Sequence, residues 1–228
     1  MKPTFSILAC SLGFALRATA QVMMEAVTTE NNPMNAMYQM KLMDRNDTTV
    51  RGIVNITSGP GGLGVMYSCR FWGFPNETEN GPFPWHVHDQ PVSSDGNCNS
   101  TLAHLDLIDR GEFPPCNASN PKTCQEGDMS GKYGNITNAS GGNVYEVTFI
   151  DNFTSLTDGL GAFVGNRSMV VHYRNSSRIN CGNITLASIN GTAVPTPSAS
   201  QRPSQGPANR VGAFGLGVML AGVAAMIW

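Results

Sequence analysis

Apolar and polar positions alternate in six short runs: Met37 to Met43, Thr49 to Thr57, Gly64 to Phe71, Tyr145 to Ile150, Ser168 to Tyr173 and Ile179 to Leu186. β-Branched residues fill these runs, and clusters of Gly, Asn, Asp and Pro separate them. A period of two bounded by turn residues predicts antiparallel strands of an all-β sandwich or barrel. No amphipathic helix and no internal repeat stand out. One further run, Trp85-His86-Val87-His88, also reads as a strand. Successive side chains of a strand point to opposite faces, so Trp85 and Val87 would face the apolar side while His86 and His88 project together from the other.

Two apolar segments fall outside this pattern. Lys2, the apolar stretch Phe5 to Leu16 and the small residues Ala18-Thr19-Ala20 predict a secretory signal peptide over residues 1–20, which would carry Cys10 away with it. At the other end, residues 191–210 form a Pro- and Ser-rich linker and residues 211–228 an uncharged hydrophobic tail. Small residues Ser198-Ala199-Ser200, a polar spacer and a terminal apolar tail have the layout of a GPI-attachment signal. An ordinary C-terminal membrane helix is the alternative, and no basic residue follows the tail to hold it on a cytoplasmic side. The remaining residues 21–190 suit one domain with its own core.

Asn-x-Ser/Thr occurs at twelve positions: Asn46, Asn55, Asn76, Asn99, Asn117, Asn135, Asn138, Asn152, Asn166, Asn175, Asn183 and Asn190. That density predicts an exported chain carrying N-glycans, and the C-terminal layout predicts its anchoring by GPI lipid at the plasma membrane or cell wall. Residues 21–200 hold ten Lys and Arg against sixteen Asp and Glu, which excludes nucleic acid as a partner. Five cysteines follow the signal segment, namely Cys69, Cys98, Cys116, Cys124 and Cys181. An exported chain oxidises what it can, yet the odd number leaves one over, and spacing does not choose the pairs.

The chain has four histidines, and His104 and His172 also lie in apolar, strand-like surroundings. Two imidazoles one strand-step apart form a rigid donor pair suited to zinc, copper, iron or nickel. The plain alternative is a half-buried polar pair. So few histidines, all so placed, predict a single metal site. A cupin reading lacks its downstream glutamate, and no further histidine spacing matches a carbonic anhydrase.

Five pieces occur in a recognisable order: His86-x-His88; His104 after Cys98; Gly127-Asp128-Met129; Val170-Val171-His172; and Arg178-x-x-Cys181-Gly182. From Met37 to Leu186 the chain thereby resembles the copper/zinc superoxide dismutase family, and in particular its secreted, GPI-anchored fungal copper-only branch. The resemblance implies an eight-stranded Greek-key β-barrel with copper on its outer wall, held by His86, His88, His104 and His172. It implies a Cys98–Cys181 disulfide tying the site loop to the last strand. It also implies conversion of superoxide to oxygen and hydrogen peroxide, with Arg178 attracting and orienting superoxide and His104 releasing copper on reduction and carrying a proton.

The departures are informative. Copper would use all four histidines, and Gln125 stands where the zinc-binding pattern has a histidine. Zinc is therefore expected to be absent, with Asp128 orienting a copper histidine from outside the metal shell. Cys124 with Asp128 and His104 is the remaining, poorer zinc arrangement. Between His172 and Arg178 only residues 173–177 replace a long charged loop, so the copper site should be open to solvent, with Arg174 as a possible extra charge. A copper-binding surface glycoprotein without catalysis, on the same fold, is the alternative function; a metal-free structural cell-wall glycoprotein fits the four histidines less well.

Overall fold

A computed structural model of the chain describes residues 24–195. The signal segment 1–20, the stretch from 196 to 210 with the GPI attachment region, and the tail 211–228 lie outside the described residues. Among the described residues, no helix is long and apolar enough to cross a membrane.

The strands are β1 (Ala36–Lys41), β2 (Arg51–Ser58), β3 (Val65–Trp72), β4 (Trp85–His88), β5 (Val144–Asp151), β6 (Ser168–His172), β7 (Arg178–Ile189) and β8 (Thr192–Ala193). Two single-turn helices, α1 (Glu77–Asn80) and α2 (Met129–Tyr133), interrupt them. All strands join one curled antiparallel sheet in the order β4-β6-β7-β1-β2-β3-β5, with β8 beside β7. Consecutive β1, β2 and β3 are paired in sequence, while β7 returns from far along the chain to lie against β1. That long return is the Greek-key arrangement.

The six alternating runs appear as β1, β2, β3, β5, β6 and β7. In β2, Gly52, Val54, Ile56 and Ser58 are buried and the intervening residues are not, as a strand with one face on the core requires. The sheet also runs on to Ala193, three residues beyond the expected end of the domain at 190. The cause is local: Asn190 and Gly191 both take positive φ, 51° and 75°, and close a two-residue hairpin between Ile189 and Thr192. Asn-Gly is the favoured pair for such a turn.

Strand β4 positions the site. Trp85 and Val87 are wholly buried in the core. The Trp85 ring packs edge-on against Phe71 (centroids 5.6 Å apart), and its Nε1–H donates to Gly134 O at 3.0 Å. An aromatic side chain buried in this way contributes on the order of 2–3 kcal/mol. Strands β4 and β5 lie at opposite ends of the sheet order, and the seam is bridged by loop backbone: Phe83 and Ile136 exchange both hydrogen bonds (3.1 and 3.0 Å). Val87 N–H donates to Gly127 O at 2.9 Å, and Leu105 N–H donates to Val87 O at 2.9 Å. A Cβ on Gly127 would lie 2.2 Å from Val87 O, so only glycine lets this loop approach β4.

That loop leads into α2, which a buried ion pair fixes in place. Lys132 and Asp151 side chains are fully buried and bonded to each other. Lys132 Nζ also donates to Glu126 O at 2.7 Å. Asp151 accepts from Tyr133 Oη (2.9 Å) and from the backbone N–H groups of Phe153 (2.9 Å) and Thr154 (2.7 Å). Burial alone would raise the Asp151 carboxyl, but the Lys132 ammonium and these donors hold it below the ordinary carboxylate range. A depressed acid stabilises the fold at neutral pH, and this contribution is lost as pH falls through its folded value. Asp151→Asn should therefore destabilise the domain by about 3–5 kcal/mol at neutral pH, since it leaves a buried ammonium without its counter-charge. Urea unfolding checks this; a loss below about 1 kcal/mol, the range of a surface pair, would contradict it.

Candidate metal centre

All four histidines meet on the outer wall of β4. One ring nitrogen from each of His86, His88, His104 and His172 lies within 4.8 Å of the others, a group that could hold a metal ion. Strand alternation supplies the first two. Leu105 and His104 come alongside because the segment after Cys98 runs antiparallel to the end of β4, with Asp89 N–H donating to Ala103 O at 3.0 Å. His172 arrives from the neighbouring strand, whose ladder pairs His86 with Val170. The His86 and His104 rings stack at 3.8 Å between centroids.

Hydrogen bonds fix which nitrogen of His88 and of His172 faces the centre. His88 Nδ1 lies 3.0 Å from Leu102 O, and His172 Nδ1 lies 3.0 Å from Ser176 O. A carbonyl oxygen only accepts, so both Nδ1 atoms carry the proton and both Nε2 atoms present lone pairs. Those two Nε2 atoms face each other at 3.3 Å. Two lone pairs so placed repel unless a cation sits between them. His86 adds a third unpartnered nitrogen: its Nδ1 is buried with no hydrogen-bond partner among the described residues. Burial and the neighbouring imidazoles push His86 well below its ordinary range and His88 down to about 2, and burial brings His172 down to about 4. These three rings stay neutral, as metal-ligating imidazoles must.

The two carbonyls come from residues in rare conformations. Leu102 has φ 58° and Ser176 has φ 68°. Neither is glycine, and strain of this kind persists where the surrounding structure over-determines it. Ser176 belongs to the tight turn of residues 173–177, closed by Tyr173 N–H to Ser177 O at 2.8 Å.

Arg178 lines the same pocket. Its guanidinium donates to Cys98 O, Leu102 O and Thr101 Oγ1, the last at 2.8 Å. Leu102 O thus serves both His88 and Arg178. Arg45, Arg51, Arg70 and Arg167 are each paired with a carboxylate. Among the described residues Arg178 has no such partner, so its charge is not cancelled at contact. Cys98 is bonded to Cys181 (Cα–Cα 5.7 Å), which ties the Arg178 acceptors to β7. Arg174 is exposed, lies against Thr78 O at 3.5 Å and does not line the pocket.

Asp128 reaches the site but spends its hydrogen bond elsewhere. Its Oδ1 is 3.6 Å from His86 Nε2, beyond hydrogen-bond range, and accepts the Gly131 N–H at 2.7 Å as the N-cap of α2. The zinc arrangement through Cys124 is corrected outright: Cys124 is bonded to Cys116 and offers no thiolate. Cys69 is the buried free thiol among the described cysteines. Three contributors escaped sequence reasoning. Leu102 and Ser176 act through backbone oxygen, which no residue type announces, and Arg110 lines the pocket from a loop with no periodic signal.

A curled antiparallel sheet with an all-imidazole centre on its wall defines a β-type metalloprotein, and the donor set suits copper in both oxidation states. The chain is 41% identical over 221 residues to a cell surface Cu-only superoxide dismutase of Arthroderma benhamiae, covering 85% of this chain and 58% of that protein. It is 33% identical over 150 residues to cell surface Cu-only superoxide dismutase 5 of Candida albicans, covering 64% and 59%. The solved structure of the latter in its Cu(II) form superposes with a TM-score of 0.58 at 30% identity, covering 67% of this chain and 92% of that one. No family model matches. The chain belongs to the copper/zinc superoxide dismutase family, beside these fungal cell-surface members. It spans just under three fifths of the length of the curated relatives it matches.

Titrating the metal-free protein with Cu(II) should show one ion bound per chain and a rise in Tm. At a hundredfold excess over Kd the stabilisation is about 2.7 kcal/mol. His88→Ala should abolish that rise. An undiminished rise in the variant would contradict the assigned centre.

Proposed function

We propose that this protein is a copper-dependent superoxide dismutase at the cell surface, working without zinc. Two superoxide ions and two protons become oxygen and hydrogen peroxide. The carrying observation is the pair of Nε2 lone pairs, of His88 and His172, facing each other at 3.3 Å beside the Arg178 guanidinium, which has no carboxylate partner among the described residues. His86 through Nδ1, and His88, His104 and His172 through Nε2, are the nitrogens that would hold copper. Copper, when bound, supplies the one-electron exchange that zinc cannot.

The chain's own residues do the rest. Arg178 keeps its positive charge at any working pH and presents a fixed fork of donors, so it draws an anion into the pocket of a chain with net negative charge. The carbonyls of Leu102 and Ser176 hold two rings in one tautomer, and Gln125 Oε1 holds His104 Nδ1 at 2.8 Å. His104 lies less deeply buried than His88, and by family resemblance it carries a proton at Nε2 to the product. The same Gln125 contact supports the absence of zinc, because a second ion would need that Nδ1 free. Arg178 also favours turnover over copper binding alone. The signal segment, sequons and C-terminal layout support an exported, N-glycosylated, GPI-anchored form.

Loading the secreted protein with copper alone should give superoxide disappearance, with His86→Ala inactive as control. Zinc bound stoichiometrically beside copper would overturn the zinc-free reading. Arg178→Ala should keep its copper, lose about tenfold or more in rate at low ionic strength and become less salt-sensitive. Unchanged kinetics there would remove Arg178 from the mechanism.

A further inference from the structure

The tautomers of His88 and His172 are set by carbonyls, but the partner of His104 is an amide, which is not restricted to accepting. Gln125 could turn its NH₂ toward His104 and force that ring to protonate Nε2 instead. Asp106 prevents this. Its Oδ2 lies 3.1 Å from Gln125 Nε2 and accepts the Gly111 N–H at 2.8 Å, while its Oδ1 accepts the Arg110 N–H at 3.0 Å. A carboxylate offers only acceptors, so the Gln125 NH₂ must face Asp106 and its Oε1 must face His104. His104 then donates from Nδ1, and its Nε2 lone pair is left for the centre.

We propose that Asp106 is a positioning residue that selects the copper-competent tautomer of His104 through Gln125. It touches neither metal nor substrate. Its effect passes along two hydrogen bonds, the 3.1 Å contact to Gln125 and the 2.8 Å contact onward to His104. The role rests on the copper reading above, yet it is testable in metal-free protein, so the failure of one is distinguishable from the failure of the other.

The test is nitrogen NMR of the imidazoles in metal-free protein, followed by copper titration. Wild type should show His104 as a single tautomer protonated at Nδ1. Asp106→Ala frees the Gln125 amide, so both tautomers should appear and copper affinity should fall by about tenfold, the usual cost of losing an outer partner. The double variant Asp106→Ala, Gln125→Glu restores an acceptor-only partner, and should recover both the single tautomer and the affinity. A merely structural role for Asp106, holding the 110 and 111 amides, would not be rescued by glutamate at 125. A wild-type His104 protonated at Nε2 overturns the proposal without any variant. So does an Asp106→Ala protein with unchanged tautomer, or a folded double variant that still shows both.

Discussion

Imidazole N–H groups donated outward to fixed oxygens turn the ring lone pairs inward, and the whole centre depends on that. Leu102 O and Ser176 O hold His88 and His172 so that their Nε2 atoms stand 3.3 Å apart with nothing to share but a cation. Metal-free, this arrangement is electrostatically unfavourable, and burial keeps His86, His88 and His172 below their ordinary range, so protonation does not readily relieve it. The fold therefore stores a preference for a positive ion at one point on its wall. The arginine beside that point is held by neutral acceptors, with no carboxylate partner among the described residues.

The rest of the structure bears on how firmly those oxygens are held. Trp85 and Val87, buried inward, aim His86 and His88 outward. The Cys98–Cys181 bond ties the loop of Leu102 to β7, where Arg178 begins the strand. A disulfide spanning 83 residues of sequence stabilises typically by about 2–4 kcal/mol, mainly through the unfolded chain. On the opposite side, the buried Lys132–Asp151 pair anchors α2 and the backbone of Glu126, next to Gln125. Two loops carrying unlike chemistry thus converge on one ring cluster from rigid supports.

Much of this was legible in the residues. Alternation placed six strands because apolar and polar positions alternate in them, most cleanly in β2 and β3, which bury every second residue, and four histidines in a chain so poor in them pointed to a single site. What stayed hidden was hidden for physical reasons. The hairpin at Asn190-Gly191 sits beside a composition shift and read as linker, although both residues favour the left-handed conformation the turn needs. Helix α2 spans five residues, too few for a periodic signal, so the N-cap bond that Asp128 makes beside its approach to His86 was not visible. The acceptors for His88 and His172 are main-chain atoms of residues with positive φ that are not glycine, and sequence gives no mark of them. Gln125 was visible as a missing histidine, but its grip on His104 and its control by Asp106 required coordinates.

The central claim is that four imidazoles share one copper ion. Nitrogen hyperfine structure in the electron paramagnetic resonance of the Cu(II) protein, with histidine labelled by ¹⁵N, tests it most directly. Coupling to the nitrogens of His86, His88, His104 and His172, each removable by its own substitution, is the predicted result. A spectrum dominated by oxygen donors, or one that a substitution of His172 leaves unchanged, would contradict it.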